Sequence, residues 1–251
     1  MNDILQIISD NWLLLLVGQY PHGPLGGLAV TLLLSVLGIV LAFPLGVALA
    51  LCRLSPFWFL RHPATAVVYL VRGVPLIMFI FWTYFIVPQI LGRPVAGFTT
   101  MLVTLVIYQS AYLAEIVRAG MTGLPSGQTE AARAIGLNYM QTTFKVLLPQ
   151  AIYNMVPAII SQFVSSIKDT ALGYVISVNE LTFAGSQINA TLLTMPFQVY
   201  ILLAAIYFVV CSALTQLART LEQRIARRRA GRGPARAAAQ AGVTAPQPAK
   251  V

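Results

Sequence analysis

Two oppositely charged side chains interrupt apolar stretches of this sequence at similar depth. Arg72 lies three residues before Pro75 in the second long apolar stretch, and Glu115 lies near the end of the third. An ionisable group at the centre of a membrane helix costs about 2.5 to 3.5 kcal/mol, so both should face protein or water. A cation and an anion facing one cavity could bind the carboxylate and the ammonium group of a zwitterion. Equally, Glu115 could pair with Arg72, or with Arg118 on its own helix, and only hold the helices together.

Polar side chains at helical spacing extend this candidate path. Tyr108 and Tyr112 precede Glu115 by seven and three residues and share its helical face, where they would supply aromatic surface and hydroxyl groups. Gln109 lies near the middle of the same stretch on a neighbouring face, and its amide is both a donor and an acceptor. We therefore expect these side chains to line the same cavity as Arg72.

A second polar stripe crosses the fourth apolar stretch. Gln162, Ser166 and Asp169 fall at i, i+4 and i+7, so they are predicted to face the path together. Serine hydroxyls in membrane helices often bond only their own backbone, and a packing role for Ser166 stays open. The carboxylate of Asp169 needs a partner, and the adjacent Lys168 points about 100° away along a helix, which leaves Asp169 for a role in the cavity.

These polar side chains belong to a chain that otherwise suits a lipid bilayer. Only 9% of its residues are charged, 58% are hydrophobic, and the mean hydropathy is +0.78, whereas soluble domains carry about 25% charged residues. The short run Ile4–Val17 predicts an interfacial helix with Trp12 at headgroup depth. Longer runs predict an all-α membrane protein with five transmembrane helices, at residues 25–51, 64–90, 98–121, 151–176 and 196–218.

The basic residues sort the connections between these helices. Arg53 and Arg61 lie between the first and second, Arg133 and Lys145 lie between the third and fourth, and an Arg-rich tail follows the fifth. Because Lys and Arg accumulate on the cytoplasmic side, the N-terminus is predicted outside and the C-terminus inside. The net charge of +9 is concentrated towards the tail, which suits lipid headgroups and topology better than a nucleic acid partner.

This topology divides the chain into three parts. The N-terminal part is predicted to be periplasmic or interfacial, the middle part to be the transmembrane domain, and the last part to be a basic cytoplasmic tail. The tail loses all apolar periodicity from Gly231 onward, so we expect that end to be disordered. The bounds are residues 1–22, 23–222 and 223–251, with a long cytoplasmic loop at 123–150 inside the second part.

The cytoplasmic loop contains an unusual stretch, EAARAIGLNYMQTTFKVLLP, at residues 130–149. Its pattern predicts two short amphipathic helices. Ser126 can cap the first helix and Gly136 can end it in a left-handed conformation. Asn138 begins a capping box for the second helix, and Pro149 is predicted to end it. By pattern alone, a hairpin lying on the membrane surface is as good an interpretation.

The spacing within this stretch resembles the EAA signature of ATP-binding-cassette (ABC) importer permeases. The signature has Glu-Ala-Ala, a glycine four residues on, and a late β-branched residue followed by Leu-Pro. Here Val146 stands where that family more often has Ile. The matching residues are Glu130, Ala131, Ala132, Gly136, Val146, Leu148 and Pro149.

The resemblance covers residues 26–217 and is closest to the polar amino acid permeases. It includes Gly-Leu-Ala-Val-Thr at the first helix and Ala-Glu-Ile-Val-Arg in the third. Val74 and Ala171 replace the commoner Thr and Ser of two further motifs, so no hydroxyl role is carried over there. Those motifs are Arg-Gly-Val-Pro-Leu at 72–76 and Lys-Asp-Thr-Ala-Leu at 168–172.

The resemblance implies a type I ABC importer permease fold in the bacterial inner membrane and a role in the import of polar amino acids, of the glutamate/aspartate or glutamine type. It also implies partners: two copies of an ATPase subunit, a second permease chain, a periplasmic solute-binding protein and the surrounding lipids. The sequence has no G-x-x-x-x-G-K-[ST] phosphate loop, so a separate chain must hydrolyse the ATP. No cofactor, metal or nucleic acid is implied. Coupling to the ATPase would fall to Glu130, Ala131, Ala132, Gly136, Leu148 and Pro149.

Two other classes of function compete with this interpretation. An ion-gradient-driven secondary transporter would be favoured by paired broken helices and a second structural repeat, and the sequence indicates neither. A membrane enzyme is disfavoured because the only histidines, His22 and His62, form no Ser-His-Asp or H-E-x-x-H pattern. The sequence does not determine which amino acid is carried.

Overall fold

The computed structural model describes residues 2–230, with side chains described for residues 4–223. Helices form almost all of this part, and their apolar composition explains why, since a backbone in lipid must satisfy its own hydrogen bonds. In chain order they are α1 Asn2–Val17, α2 Gly27–Leu54, α3 Trp58–Gly73, α4 Leu76–Leu91, α5 Gly97–Thr122, α6 Ser126–Ala134, α7 Tyr139–Gln141, a π-helical turn Thr142–Leu147, α8 Leu148–Asp169, a 3₁₀ helix Thr170–Ile176, α9 Leu181–Leu192 and α10 Pro196–Ala230.

Four continuous helical stretches are long and apolar enough to cross a membrane. They coincide with the first, third, fourth and fifth predicted helices. All four extend beyond the predicted bounds at one end or at both, because polar residues near the aqueous boundary can still continue a helix. The stretches are Gly27–Leu54, Gly97–Thr122, Tyr139–Ile176 and Pro196–Gln223.

The prediction of one continuous second span is wrong. The chain bends by 102° between α3 and α4, so this segment supplies a fifth span only if the bent pair is counted as one. Val74 takes an extended conformation with φ −111° and ψ 136°, and Pro75 follows it. A residue before proline is pushed out of the helical region and proline itself offers no amide hydrogen, so the two helices must stop and restart here.

Helix α9 occupies a stretch that the sequence assigned to an external connection. Its first turn is capped by Glu180, whose carboxylate accepts hydrogen bonds from the backbone amides of Thr182 and Phe183, both at 2.8 Å. The helix packs closely on α10, since a Cβ added at Gly185 would collide with Leu203. Twelve residues are too few to span a bilayer, which is why the hydropathy pattern did not reveal this helix.

Helix α1 packs against α9 and α10 on one side and is exposed on the other. Ile7 and Leu15 are buried in a cluster with Leu181 and Leu203, whereas the predicted headgroup residue Trp12 is 52% exposed. Helix α1 is therefore buried on one side only, and its exposed side also carries apolar side chains such as Leu5 and Leu13.

Among the described helices, α2 and α5 share the most extensive contact. A Cβ added at Gly46 of α2 would lie 2.7 Å from Cβ of Leu113 on α5, so only glycine allows the two backbones to approach this far. Ala50, Ala111 and Ala114 continue the contact in a fully buried cluster. The contact between these small residues thus sets the position of the α5 side chains, along the helix axis, relative to the end of α2.

The last helix continues past the predicted end of the transmembrane domain. Helix α10 runs to Ala230, so residues 223–230 are helical, although the sequence placed them in the tail. The predicted disordered end, residues 231–251, lies outside the described residues.

Candidate functional site

Three arginines converge on one carboxylate near the end of α5. Oε2 of Glu115 accepts a hydrogen bond from Arg53 Nη1 at 2.5 Å. Oε1 accepts from Arg118, through Nε at 3.1 Å and through Nη2. Nη1 of Arg72 lies 3.6 Å from Oε2, which is an ion pair but too long for a hydrogen bond. We call Arg53, Arg72, Glu115 and Arg118 the arginine cluster.

The structure thus brings together both pairs that the sequence offered as alternatives. Arg72 and Arg118 both approach Glu115, from α3 and from α5 itself. Within the residues whose side chains are described, Glu115 takes part in each of the salt bridges. A carboxylate surrounded in this way is held firmly, because each partner fixes a different direction of approach.

Arg53 was missed as a site residue. The sequence placed it in a connection beyond the first span, but α2 continues to Leu54 and places Arg53 in its last turn, 9% exposed. Its guanidinium also lies 5.7 Å from the ring centre of Tyr69 on α3. A buried arginine needs a carboxylate partner, so an arginine at the end of an apolar helix was the signal that could have found it.

Two tyrosines flank the arginine cluster as predicted. The hydroxyl groups of Tyr108 and Tyr112 lie 3.1 Å apart, and the guanidinium of Arg72 lies 5.2 Å from the ring centre of Tyr112. Such a distance is typical of a cation–π contact. Arg72, Tyr108, Tyr112 and Glu115 therefore form one group, at the end of α3 and along one face of α5.

Gln109, Gln162 and Asp169 form a second group, which we call the amide relay. Nε2 of Gln162 donates to Oε1 of Gln109 at 2.5 Å, and Nε2 of Gln109 donates to Oδ2 of Asp169 at 3.0 Å. Asp169 therefore lies in one group with Gln109 and Gln162, and the amide of Gln109 binds one of its two oxygens. Gln109 is fully buried between α5 and α8, which orients the relay.

Ser166, the third member of the predicted stripe, lies on the packed side of α8. Its side chain is fully buried, and Oγ has no hydrogen-bond partner among the described residues. The stripe is therefore divided: Gln162 and Asp169 join the amide relay, and Ser166 faces the protein interior near Gly38 of α2.

The stretch between α5 and α8 forms a helical hairpin, residues 126–149. Gly136 has φ +84°, the left-handed conformation predicted for the turn. The predicted capping box is also present: the side chain of Asn138 accepts from the amide of Gln141 at 2.9 Å, and the side chain of Gln141 accepts from the amide of Asn138 at 3.0 Å. The turn is thus defined by two local signals that the sequence contains.

Two details of the predicted hairpin are wrong. Ser126 is not the cap of α6, since Pro125 holds that position and no side chain caps the helix. Pro149 does not end the second helix, because α7, the π turn and α8 form one continuous helical stretch. The π turn directly precedes Leu148 and Pro149, so the helical stretch reaches the proline through a locally changed hydrogen-bond pattern that tolerates its missing amide hydrogen.

The hairpin presents apolar side chains that this chain does not cover. Ile135 is 78% exposed and Met140 59% exposed, and Phe144 is also exposed. Glu130 and Ala131 are exposed as well, whereas Ala132 and Leu148 are buried and fasten the hairpin to the bundle. An apolar surface of this kind, with polar neighbours, is typical of a contact with another protein or with the membrane surface.

One hydrogen bond joins the hairpin to the end of α2. The hydroxyl of Tyr139 donates to the carbonyl oxygen of Leu54 at 3.0 Å, one residue beyond Arg53. Around this bond lies a largely apolar cavity of about 570 Å³, whose wall includes Cys52, Phe57 and other residues of α2, α3 and the hairpin. The hairpin is therefore in direct contact with the helix turn that carries Arg53.

Comparisons with known proteins give a consistent result. The family model of the binding-protein-dependent transport system inner membrane component matches residues 42–227. The chain is 38% identical to the "Probable glutamine ABC transporter permease protein GlnP" of Bacillus subtilis (strain 168), over 79% of this chain and 91% of that protein. It is 36% identical to the "Glutamate transport system permease protein GluD" of Corynebacterium glutamicum, over 83% and 76%.

Solved structures show the same likeness. A chain from the crystal structure of an amino acid ABC transporter with histidines superposes with a TM-score of 0.77 at 31% identity, over 88% of this chain and 98% of that one. A chain of the MetNI methionine ABC transporter, in an inward-facing conformation, superposes with a TM-score of 0.61 at 23% identity, over 88% and 99%, and shows the shared fold.

Proposed function

The chain belongs to the family of binding-protein-dependent transport system inner membrane components, and from that premise we propose that it carries polar amino acids of the glutamine or glutamate type across the inner membrane. It is the permease subunit of an amino acid ABC importer and not itself an enzyme, since a separate subunit hydrolyses ATP. Relatives named for glutamine and for glutamate support this substrate class. The family also argues against the ion-gradient alternative, although one broken helix pair is present.

The observation that carries the coupling role is the exposed apolar surface of the hairpin. Ile135, Met140 and Phe144 are exposed, on a turn fixed by Gly136 and Asn138. A rigid apolar elbow suits a groove on the ATPase subunit, because movement of that groove would be passed to α5 and α8 on either side. Glu130, Ala131, Ala132, Leu148 and Pro149 complete this coupling element.

The path through the membrane is formed by the arginine cluster with its tyrosines and by the amide relay. Its members are Arg72, Tyr108, Gln109, Tyr112, Glu115, Gln162 and Asp169. Ser166, which the sequence also placed on the path, is buried near Gly38 of α2 and would support the path by packing. Support comes from the polar side chains meeting in two groups along α5. A second permease chain and two ATPase copies would complete the path, and a periplasmic binding protein would deliver the amino acid.

In this arrangement the bent pair of α3 and α4 counts as one of five spans. The N-terminus lies outside, the C-terminus and the hairpin lie in the cytoplasm, and residues 223–251 form a basic cytoplasmic tail. The positive charge beside the hairpin and in α10 supports this orientation. Residues 1–22 lie at the outer face, and residues 23–222 form the transmembrane domain.

Reconstitution tests the transport function. The full chain is placed in proteoliposomes with its ATPase subunit and a binding protein, and uptake of labelled L-glutamine and L-glutamate is measured. Uptake should require ATP and all three proteins. Uptake at the full rate without the ATPase subunit would contradict the proposal.

Labelling tests the orientation. In a background with Cys52→Ala and Cys211→Ala, Ser126→Cys on the hairpin and Thr194→Cys before α10 are each exposed to a membrane-impermeant maleimide. Both native positions are exposed at the surface of the chain. Thr194→Cys should react in intact cells, and Ser126→Cys should react only after the membrane is permeabilised. The reverse order of reaction would refute the topology.

A further inference from the structure

The carboxylate of Glu115 is already fully engaged by protein groups. Arg53 holds Oε2 at 2.5 Å, and Arg118 holds Oε1 through two nitrogens. Guanidinium groups stay protonated in proteins, so three positive charges surround one negative charge. An ammonium group that approached Glu115 would meet this surplus of positive charge and would have to displace a buried arginine.

Arg72 is the open member of the arginine cluster. Its guanidinium lies 3.6 Å from Glu115 and makes no hydrogen bond to any residue whose side chain is described. About a third of its side chain is exposed, at 35%, compared with 6% for Arg53. Arg118 is equally exposed, but its guanidinium is bound to Glu115 through two nitrogens. The ring of Tyr112 supports it at 5.2 Å, which orients the planar group and leaves its N–H donors available.

We propose that Arg72, supported by Tyr112, binds the carboxylate of the transported amino acid, and that Glu115 is a counter-ion held in place by Arg53 and Arg118 rather than the ligand of the ammonium group. Arg53 and Arg118 hold Glu115 away from Arg72, so that Arg72 gives up only a long ion pair when a ligand arrives. An arginine with free donors matches a carboxylate in a two-point hydrogen bond. This inference rests on the proposed transport function and names the chemical group that the site recognises.

Three probes separate the two charged groups of the ligand. L-glutamine carries both, its methyl ester keeps the ammonium group without the carboxylate, and N-acetyl-L-glutamine keeps the carboxylate without the ammonium group. The full chain is purified with its ATPase subunit and without a binding protein. The apparent affinity is read from the rise of the thermal unfolding midpoint with probe concentration.

The parent should respond to L-glutamine and to N-acetyl-L-glutamine, and not to the methyl ester. Arg72→Gln should weaken the affinity for both carboxylate probes by about tenfold or more, since a hydrogen bond to a charged group is lost. The matched control is Arg93→Gln, the same change at an exposed arginine after α4, which should leave both affinities unchanged.

Glu115→Gln decides between the two roles. If Glu115 does not bind the ammonium group, the affinity of Glu115→Gln for L-glutamine should stay the same or rise, because the competing carboxylate is gone. If Glu115 does bind it, the affinity for L-glutamine should fall while the affinity for N-acetyl-L-glutamine stays. A second variant, Arg53→Lys, keeps the test decisive if Glu115→Gln does not fold. Lysine lacks the guanidinium that holds Oε2 of Glu115, so this oxygen can move towards Arg72 and compete with the ligand. The affinity for both carboxylate probes should then fall by several-fold.

Four results would overturn the proposal. The first is that Glu115→Gln loses L-glutamine binding while Arg72→Gln keeps it. The second is that the parent responds equally to the methyl ester and to L-glutamine. The third is that Arg53→Lys binds the carboxylate probes with unchanged affinity, and the fourth is that the parent responds to none of the probes. The uptake assay described above shows whether the role of Arg72 or the proposed transport function is at fault. ATP-driven uptake together with any of these results would refute the role of Arg72 alone, whereas absent uptake would refute the proposed function.

Discussion

Replacing Glu180 by Gln should remove a pH dependence of stability that this residue gives the chain. Glu180 is completely buried between the 3₁₀ helix and α9, outside the membrane-spanning stretches. Its carboxylate accepts hydrogen bonds from the amides of Thr182 and Phe183 at 2.8 Å and from the hydroxyl of Tyr207 at 3.0 Å. Burial outweighs these hydrogen bonds and raises the pKa of Glu180 from 4.5 to about 7.

The magnitude follows from the difference between the folded and unfolded pKa. The pKa of Glu180 rises from 4.5 in the unfolded chain to about 7 in the folded chain. Each unit of pKa corresponds to about 1.36 kcal/mol, so the free energy of unfolding changes by about 3 kcal/mol across this pH range. The folded chain binds the proton more tightly than the unfolded chain. The stabilisation is therefore complete below pH 4.5 and is lost as the pH rises through about 7.

The measurement is the thermal unfolding midpoint of the parent and of Glu180→Gln at several pH values from about 4.5 to 8.5. The amide cannot ionise, and it also loses part of the cap of α9, which costs about 1 to 3 kcal/mol at every pH. The variant should thus be less stable than the parent at low pH, and the gap should narrow or reverse above pH 7.

A matched control is Glu222→Gln, the same change at an exposed position of α10. It should leave the pH profile of the parent unchanged. If the difference between the parent and Glu180→Gln were constant across the pH range, the buried carboxylate would not bind the proton as argued, and the reasoning would be refuted.

Three further changes test the hairpin and the path. Gly136→Pro forces a negative φ on a turn with φ +84°, so it should abolish ligand-stimulated ATP hydrolysis by the assembled complex, whereas the control Gly127→Ala, in open space on α6, should not. Unchanged stimulation in Gly136→Pro would contradict the coupling role. Tyr139→Phe removes the hydrogen bond to the end of α2, which is worth about 1 kcal/mol. In a Cys211→Ala background, maleimide should then modify Cys52, in the wall of the adjacent cavity, about fivefold faster. An unchanged rate would show that this bond does not limit access to the cavity. Asp169→Asn keeps the side-chain shape and removes its charge, so ATP-driven uptake should fall at least about tenfold; full uptake would assign Asp169 to packing.

Local signals in the sequence predicted much of the architecture. The four continuous spans follow from apolar runs, since hydropathy over about twenty residues is a local property. The turn at Gly136 and the capping box at Asn138 were also predicted correctly, because each depends on one or two residues and their immediate neighbours. The family signature lies in the same segment, so the amino-acid sequence is sufficient to identify the class of protein.

The wrong predictions concern places where the hydropathy of a segment does not reveal where a helix bends, starts or ends. Residues 64–90 are apolar throughout, yet the chain turns by 102° near Pro75, and an average over the window cannot detect a change of direction. At Pro149 the error was the opposite, because a helix end was predicted where the helical stretch continues. A π turn lies directly before this proline and allows the continuation. Helix α9 is too short to be distinguished from a connection by its composition.

The order of residues was enough to establish a membrane permease with an exposed helical hairpin, and it singled out most of the polar side chains that meet in the arginine cluster and the amide relay. Which of those side chains meet depends on the packing of the helices. Arg53 reaches Glu115 across 62 residues of sequence, and Gln109 reaches Asp169 across 60. Helical spacing fixes the face on which a side chain lies, but the partner of that face depends on how closely two helices approach, here set by Gly46 against Leu113. The surplus of arginine around one carboxylate is therefore a property of the packed bundle.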